Sequence, residues 1–199
     1  MQSKLLNNNN IRVKVSDDEA KKAVKTLLEW IGENPDREGL SDTPQRVIDS
    51  YKEYFSGYLE DPANILKKTF TETSGYQDMV LLKDINFYSH CEHHIAPIKG
   101  VAHIAYYPNT KVVGISKLAR IVEIYSKRLQ IQERLTSEIA NTINYTLKPK
   151  GVAVIIEASH SCINNRGINQ KLAKMKTHAL IGCFRNDPEI SRRFFQLIS

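Results

Sequence analysis

Two short motifs stand far apart in this chain, Cys91-Glu-His-His94 and His160-Ser-Cys162, and they hold two of its three cysteines and three of its six histidines. Thiolate and imidazole are the ligands that Zn²⁺ prefers. Brought together, the two motifs put two thiols and up to three imidazoles around one point. Cys91 and His94 are spaced so that one tight turn carries both donors to a common metal. His160 and Cys162 follow an apolar run, and on an extended strand their side chains point to the same side. Cys91, His94 and Cys162 then supply three protein ligands and leave a fourth position open, the arrangement of a catalytic zinc. Sequence alone does not decide between His93 and His94. The two-residue gap after Cys91 favours His94 as ligand and leaves His93, with His160, for proton transfer. A structural zinc knuckle would require a fourth, closing Cys or His. The remaining thiol, Cys183, precedes Phe184 at the end of an apolar strand and is expected in the core.

Composition narrows the setting. Three cysteines, an odd number, argue against a disulfide framework and for a reducing cytoplasm, where thiols are free to bind metal. The longest apolar runs, such as residues 151–156, fall far below the roughly 18 residues of a membrane span. The start, Met1-Gln-Ser-Lys-Leu-Leu and four Asn, lacks the apolar centre of a signal peptide. A chain of 199 residues, 41% hydrophobic and 25% charged, suits a soluble protein with one sizeable core. A net charge of +6 suits anionic partners such as phosphorylated small molecules. No basic run interleaved with aromatics points to a nucleic-acid groove.

The pattern along the chain predicts a flexible segment at residues 1–15, a helical region at 16–60 and a catalytic domain at 61–199. Ser16 and Asp17 are placed to cap a helix that buries Ala20, Val24, Leu27 and Leu28 and stops at Gly32. Thr43-Pro44 starts a second helix ending at Gly57. From about Ile65 the pattern turns to strands, with Met79–Leu82 and Ile85–Tyr88 leading into the Cys91 turn. Residues 101–108 and 111–115 read as a hairpin. Ser116 is placed to cap a helix running to about Leu129, and a second long helix spans Ile131 to Leu147. Val152–Ala158 is a strand entering His160-x-Cys162, and a short helix from Pro188 closes the chain. This order indicates an α+β fold with a mainly antiparallel sheet.

Several polar groups sit where chemistry could use them. Lys117 and Arg120 lie on one face near a helix N-terminus, where free N–H groups and the dipole favour a polyphosphate. Glu133 can accept two N–H donors from a guanine edge, and Gln132 offers both a donor and an acceptor. Arg166, shortly after Cys162, can reach a phosphate near the metal, as can Arg46 of the second helix. His90 is read as supporting or solvated, and His103 and His178 as structural.

Cys91-Glu-His-His94, Gly114-Ile-Ser-Lys117-x-x-Arg120, Gln132-Glu-Arg-Leu-Thr136 and His160-x-Cys162-x-x-x-Arg166-Gly167 together resemble GTP cyclohydrolase I of the zinc-dependent type. The similarity runs from about Leu40 through Thr43-Pro-x-Arg46 to the C-terminus. The resemblance implies conversion of GTP to 7,8-dihydroneopterin triphosphate and formate, the first step of pterin and folate synthesis. It implies Zn²⁺ on Cys91, His94 and Cys162, proton transfer by His160 and His93, and a role for Ser116 in ribose rearrangement or phosphate binding. It implies that Glu133 and Gln132 hold the guanine and that Lys117, Arg120, Arg166 and Arg46 bind the triphosphate. It also implies the tunnelling fold: an antiparallel sheet with two long helices on one face and an N-terminal helical segment, sheets of several copies joining into a barrel. The expected assembly is a homodecamer of two pentamers with sites at subunit interfaces. Asp49, Val101 and the stretch 168–178 depart from the family's usual pattern near the triphosphate positions. Two other readings compete: a metal-free enzyme of the same fold using Cys91 as nucleophile, and a non-enzymatic zinc module binding nucleic acid.

Overall fold

The computed structural model describes residues 15–71 and 75–199. They fall into two compact units, the chain up to Glu53 and Tyr54–Ser199. The segment 1–15 expected to be flexible lies, apart from Val15, outside the described residues.

The first unit carries α1 (Asp17–Trp30) and most of α2 (Thr43–Tyr54). Ser16 begins α1 with a capping box: its hydroxyl accepts from the Glu19 N–H at 3.2 Å, and the Glu19 carboxylate accepts from the Ser16 N–H at 2.8 Å. Gly32, at φ +94°, turns the chain just past the helix end, a conformation only glycine adopts without strain.

In the second unit a 3₁₀ turn (Ser56–Leu59) leads to α3 (Pro62–Leu66), where strands were expected to begin. The Asp61 side chain accepts from the Ala63 N–H and Pro62 fills the first turn, so a cap-and-proline signal overrides the apolar pattern here. The remaining strands are β1 (Thr69–Phe70), β2 (Val80–Cys91), β3 (Pro97–Tyr107), β4 (Val112–Val113), β5 (Leu129–Gln130), β6 (Gly151–His160) and β7 (Met175–Gly182). The helices that follow α3 are α4 (Ile115–Ser126), α5 (Gln132–Leu147), α6 (Ser161–Asn164), α7 (Cys183–Asn186) and α8 (Pro188–Ile198).

The main sheet has the order β5-β2-β3-β6-β7, antiparallel except where β5 runs parallel to β2. The expected hairpin between residues 101–108 and 111–115 does not form. Both edges of β3 are occupied, by β2 and β6, so Val112 and Val113 pair instead with Phe70 and Thr69. The two apolar runs before Cys91 form one strand, interrupted by a register shift between Leu82 and Ile85 with Asp84 at φ +59°.

Amphipathic α4 and α5 cover one face of the sheet, α4 over β2 and α5 over β6 and β7. Their inward residues, Leu118, Ile121, Val122, Leu135, Ile139 and Ile143, are fully buried against Ile104, Val154 and Ile156. Each such side chain contributes about 1.5–3 kcal/mol. Phe184 and Phe194, from α7 and α8, close a smaller core on the other face over Ala105, Ala153 and Ile155. Cys183 packs partly buried against this second core, and burial pushes its thiol pKa up.

Gly57 marks the tightest approach. A β-carbon there would lie 2.0 Å from the Ile124 carbonyl oxygen and 2.8 Å from that of Lys127, both at the end of α4. The adjoining Arg128 holds the same segment by donating to the Gly57 and Glu60 carbonyls. We expect Gly57→Ala to lower the melting temperature by about 5 °C or more, consistent with an overpacking cost of about 1–3 kcal/mol. Calorimetry at matched scan rate checks this, and an unchanged transition would refute the close packing.

Candidate active site

The sheet register brings the two motifs together. Cys91 ends β2 and His160 ends β6, and the start of β3 lies between them, Pro97 opposite His90 and Ile98 opposite His160. After Cys91 the chain turns tightly, with the Cys91 N–H donating to the Ala96 carbonyl and the Ile95 N–H to the Cys91 carbonyl, both at 2.9 Å. Ile95 takes φ +52° in that turn, a left-handed conformation that a β-branched residue adopts only at a cost of about 1–3 kcal/mol. Cys162 does not lie on an extended strand as expected. β6 stops at His160, and α6 turns the Cys162 sulfur back toward β2.

The result is one cluster: Cys91 Sγ, a His94 ring nitrogen and Cys162 Sγ all lie within 4.8 Å of one another. His94 Nδ1 is 3.8 Å from Cys91 Sγ. Cys91 is buried, Cys162 half-buried and His94 exposed, so the group is anchored on one side and open on the other. Burial, and then the neighbouring Cys91 sulfur, push the Cys162 thiol pKa up, whereas the Arg166 charge pulls it down. Two sulfurs and an imidazole nitrogen so close form a soft donor set that fits a divalent metal of the zinc kind.

The other predicted residues divide. His93 is exposed beside His94, ring centroids 6.4 Å apart. His160 is half-buried, and its pKa is lowered by burial and raised in part by the nearby Glu133 charge. Glu133 lies exposed at the start of α5. Arg166 is exposed just after α6. Arg46 belongs to the first unit, where it pairs with Asp42 at 3.2 Å.

Gln132, expected to share in holding the guanine, is buried at the start of α5. Its side chain is only 2% exposed and its groups are engaged within the chain. Nε2 donates to the Ile156 and Met175 carbonyls, both at 3.0 Å, and to Thr177 Oγ1 at 3.1 Å. Those acceptors fix the amide orientation, so Oε1 faces His160 Nε2 at 2.8 Å and must accept its proton. In the neutral imidazole the free lone pair is therefore on Nδ1.

Ser116, Lys117 and Arg120 lie elsewhere. Ser116 does not cap α4. Gly114 takes that place without a side-chain bond, because Ile115 already begins the helix. α4 starts beside the far end of β3, where the Val113 N–H donates to the Tyr106 hydroxyl at 3.1 Å. It ends beside the metal cluster, where Leu129 pairs with His90. The 12 residues of α4 span about 18 Å, so Ser116 and Lys117 sit at the opposite end of the sheet from Cys91, with Arg120 near the middle of the helix.

The sequence reading gave no role to Glu92, Gln130, Arg134 or Thr177. Arg134 Nη2 donates to the Glu92 carboxylate at 2.6 Å, and Thr177 shares the Gln132 amide. The available signal was the polar run from Gln130 to Arg134, which spans β5 and the first turn of α5.

Fold and cluster define a mixed α+β protein with a Cys-His-Cys group able to hold a metal. The sequence model of the GTP cyclohydrolase I family matches residues 20–199, and the chain belongs to that family. It is 54% identical over 186 residues to the GTP cyclohydrolase 1 of Pelagibacter ubique (strain HTCC1062), covering 94% of this chain and 92% of that one. It is 50% identical over 188 residues to the GTP cyclohydrolase 1 of Maricaulis maris (strain MCS10), again covering 94% and 92%. Among solved structures, the archaeosine synthase QueF-like in its apo form superposes with a TM-score of 0.45 at 19% identity, over 54% of this chain and 96% of that one.

We expect Gln132→Ala to remove the amide's contacts to Ile156, Met175 and Thr177 and to loosen His160, costing about 1–3 kcal/mol. The exposed Glu133→Gln should leave the melting temperature within about a degree of the parent, as surface changes do. Equal thermal effects in the two variants would contradict the burial of Gln132.

Proposed function

We propose that this protein is a zinc-dependent GTP cyclohydrolase I, which opens the guanine imidazole ring of GTP and yields 7,8-dihydroneopterin triphosphate and formate. The observation that carries this reading is the close Cys91–His94–Cys162 group beside His160 and Glu133, in a chain of that family. Cys91, His94 and Cys162 would hold the ion. When bound, zinc would supply Lewis acidity and make a water acidic enough to attack near neutral pH.

The chain's own groups do the rest. Glu133 accepts the two N–H donors of the guanine edge and so orients the base over the thiols. His160 moves protons at the opening ring. Gln132 holds its Nε2–H and leaves Nδ1 as the basic atom. His93, exposed beside His94, is the second proton carrier. Arg166 binds phosphate from the metal side, with Arg46 a further triphosphate contact. Ser116 acts on the ribose, and Lys117 and Arg120 hold the phosphates at the start of α4.

Ribose and α-phosphate adjoin the reacting base in the nucleotide, whereas Ser116 and Cys91 of one chain are a helix length apart. The complete site therefore draws these two groups from different copies of the chain. The sheet supports such assembly. Among the described residues β7 pairs with β6 alone, and the outer edge of β2 is paired only at His90 and Cys91. β7 runs antiparallel to β2, so a neighbour's β2 can extend the sheet with the alternation intact. Repetition closes a barrel, and we place the protein as a cytoplasmic homodecamer of two pentamers acting on GTP, without nucleic acid or membrane. Among the described residues no helix is long and apolar enough to cross a membrane.

Incubation with GTP should release formate and a pterin that fluoresces after oxidation. A chelator should abolish both, and Cys162→Ala should lose metal and turnover together. A metal-free protein with full turnover would overturn the reading. Separately, Ser116→Ala and Cys162→Ala chains, each with little activity, should regain about a quarter of the parent rate when co-assembled at equal ratio, because random mixing makes that share of sites whole. Recovery no greater than the sum of the two variants would mean that each site is built from one chain.

A further inference from the structure

The turn that carries the metal ligands is strained and largely exposed, so something outside it must hold its shape. Glu92, Ile95 and both histidines of the turn face solvent, and Ile95 is in the left-handed region. Two hydrogen bonds close the turn on itself and Ala96 packs against the main core, while among the described residues its hydrogen bonds to the rest of the second unit pass through β5 and the start of α5. The Glu92 N–H donates to the Gln130 carbonyl at 3.0 Å. The Glu92 carboxylate receives Arg134 Nη2 at 2.6 Å, and the same nitrogen reaches the Leu129 carbonyl at 2.8 Å. Arg134 is itself fixed, with Nε donating to Gln130 Oε1 at 3.1 Å.

Gln130 has no freedom to release it. It is 1% exposed, and its Nε2 donates to the Tyr125 carbonyl at 2.9 Å and to Glu138 at 3.0 Å. Those two acceptors point Oε1 at Arg134. The chain of contacts runs from the buried end of α4, through Gln130 and Arg134, to the residue between Cys91 and His93. Arg134 also follows Glu133 directly, so one helical turn carries both the proposed base-recognition carboxylate and the arginine that grips the ligand turn.

We propose that Arg134 and Glu92 form a positioning pair that holds the Cys91–His94 turn in its ligand-presenting shape and thereby sets metal affinity. The pair touches neither metal nor substrate; it acts through the turn and through the fixed amide of Gln130. Partners one step removed from ligands commonly govern affinity by about 10–100-fold. This inference rests on the reading of Cys91, His94 and Cys162 as a metal site.

The test measures zinc binding by competition with a chromophoric chelator, without nucleotide, on the assembled protein. Glu92→Gln and Arg134→Gln should each weaken zinc binding by about tenfold or more. The double variant should be no weaker than the worse single one, since both remove the same contact. The exchanged pair Glu92→Arg with Arg134→Glu should recover part of the loss. Melting temperature in chelator and sedimentation should stay near those of the parent, which separates positioning from collapse of the fold. Unchanged zinc affinity in both single variants, or losses that simply add in the double variant, would overturn the proposal. A parent protein that binds no zinc would instead sink the metal reading beneath it.

Discussion

The backbone ladder around the first residues of β3 is the constraint from which the rest of the site follows. Pro97 lies opposite His90 and Ile98 opposite His160, so strands from distant parts of the chain end on either side of one short segment. Neighbouring strands are about 4.8 Å apart, which puts the ends of β2 and β6 about two strand spacings from each other. The tight turn after Cys91 and the first turn of α6 then close the remaining gap between the sulfurs. A slip of one residue in either pairing would send the alternating side chains to the opposite face and part the donors. The buried run Val152–Ile156 and the core facing it make such a slip costly, so packing far from the cluster fixes its geometry.

A second consequence is the unusual amount of buried polarity at the start of α5. Gln130, Gln132 and Thr136 are almost fully buried where an apolar core would suffice for stability. Each is hydrogen-bonded: Gln130 to Tyr125, Glu138 and Arg134, Gln132 to two carbonyls, Thr177 and His160, Thr136 to the Gln132 carbonyl. Satisfied in this way, such groups cost little, but they remove rotational freedom from the side chains they hold. Their effect is to specify orientation. One glutamine sets which nitrogen of His160 carries the proton, and the other sets where Arg134 points. The strained Ile95 belongs to the same pattern, because a disfavoured backbone persists only where its surroundings over-determine it.

Much of this was legible in the sequence, and what was not has identifiable causes. The long helices were readable because Leu118, Ile121, Val122 and Tyr125, and later Leu135, Ile139 and Ile143, recur at helical spacing. The three metal-binding candidates were readable because Cys and His at short spacing admit few other uses. The hairpin failed because local pattern says nothing about which distant strand has claimed an edge; β3 was already enclosed by β2 and β6. Cys162 was assigned to a strand because the run before it is apolar, and nothing local marks β6 as ending at His160. The burial of Gln132 was not readable because it depends on Met175 and Thr177, more than forty positions on. Glu92 and Arg134 escaped notice because an ion pair between distant residues leaves no periodic trace.

The open edges of the sheet and the divided site point to a single solution. An eight-residue strand such as β7, paired on one side alone among the described residues, presents an edge of N–H and C=O groups that invites pairing with another copy. In the same unit the helix start with Ser116 and Lys117, proposed to serve the same nucleotide, lies a helix length from the thiols. Assembly of the proposed kind addresses both, since extending the sheet pairs the edges while a neighbour brings its helix start to the ligand turn. The stability of the fold and the completeness of the site are then linked by mass action. A chain that has not assembled would hold a metal-binding cluster without the groups that seat the ribose and phosphates. Conversely, a nucleotide touching two copies binds only the assembled form, and so favours the state in which the edges are paired.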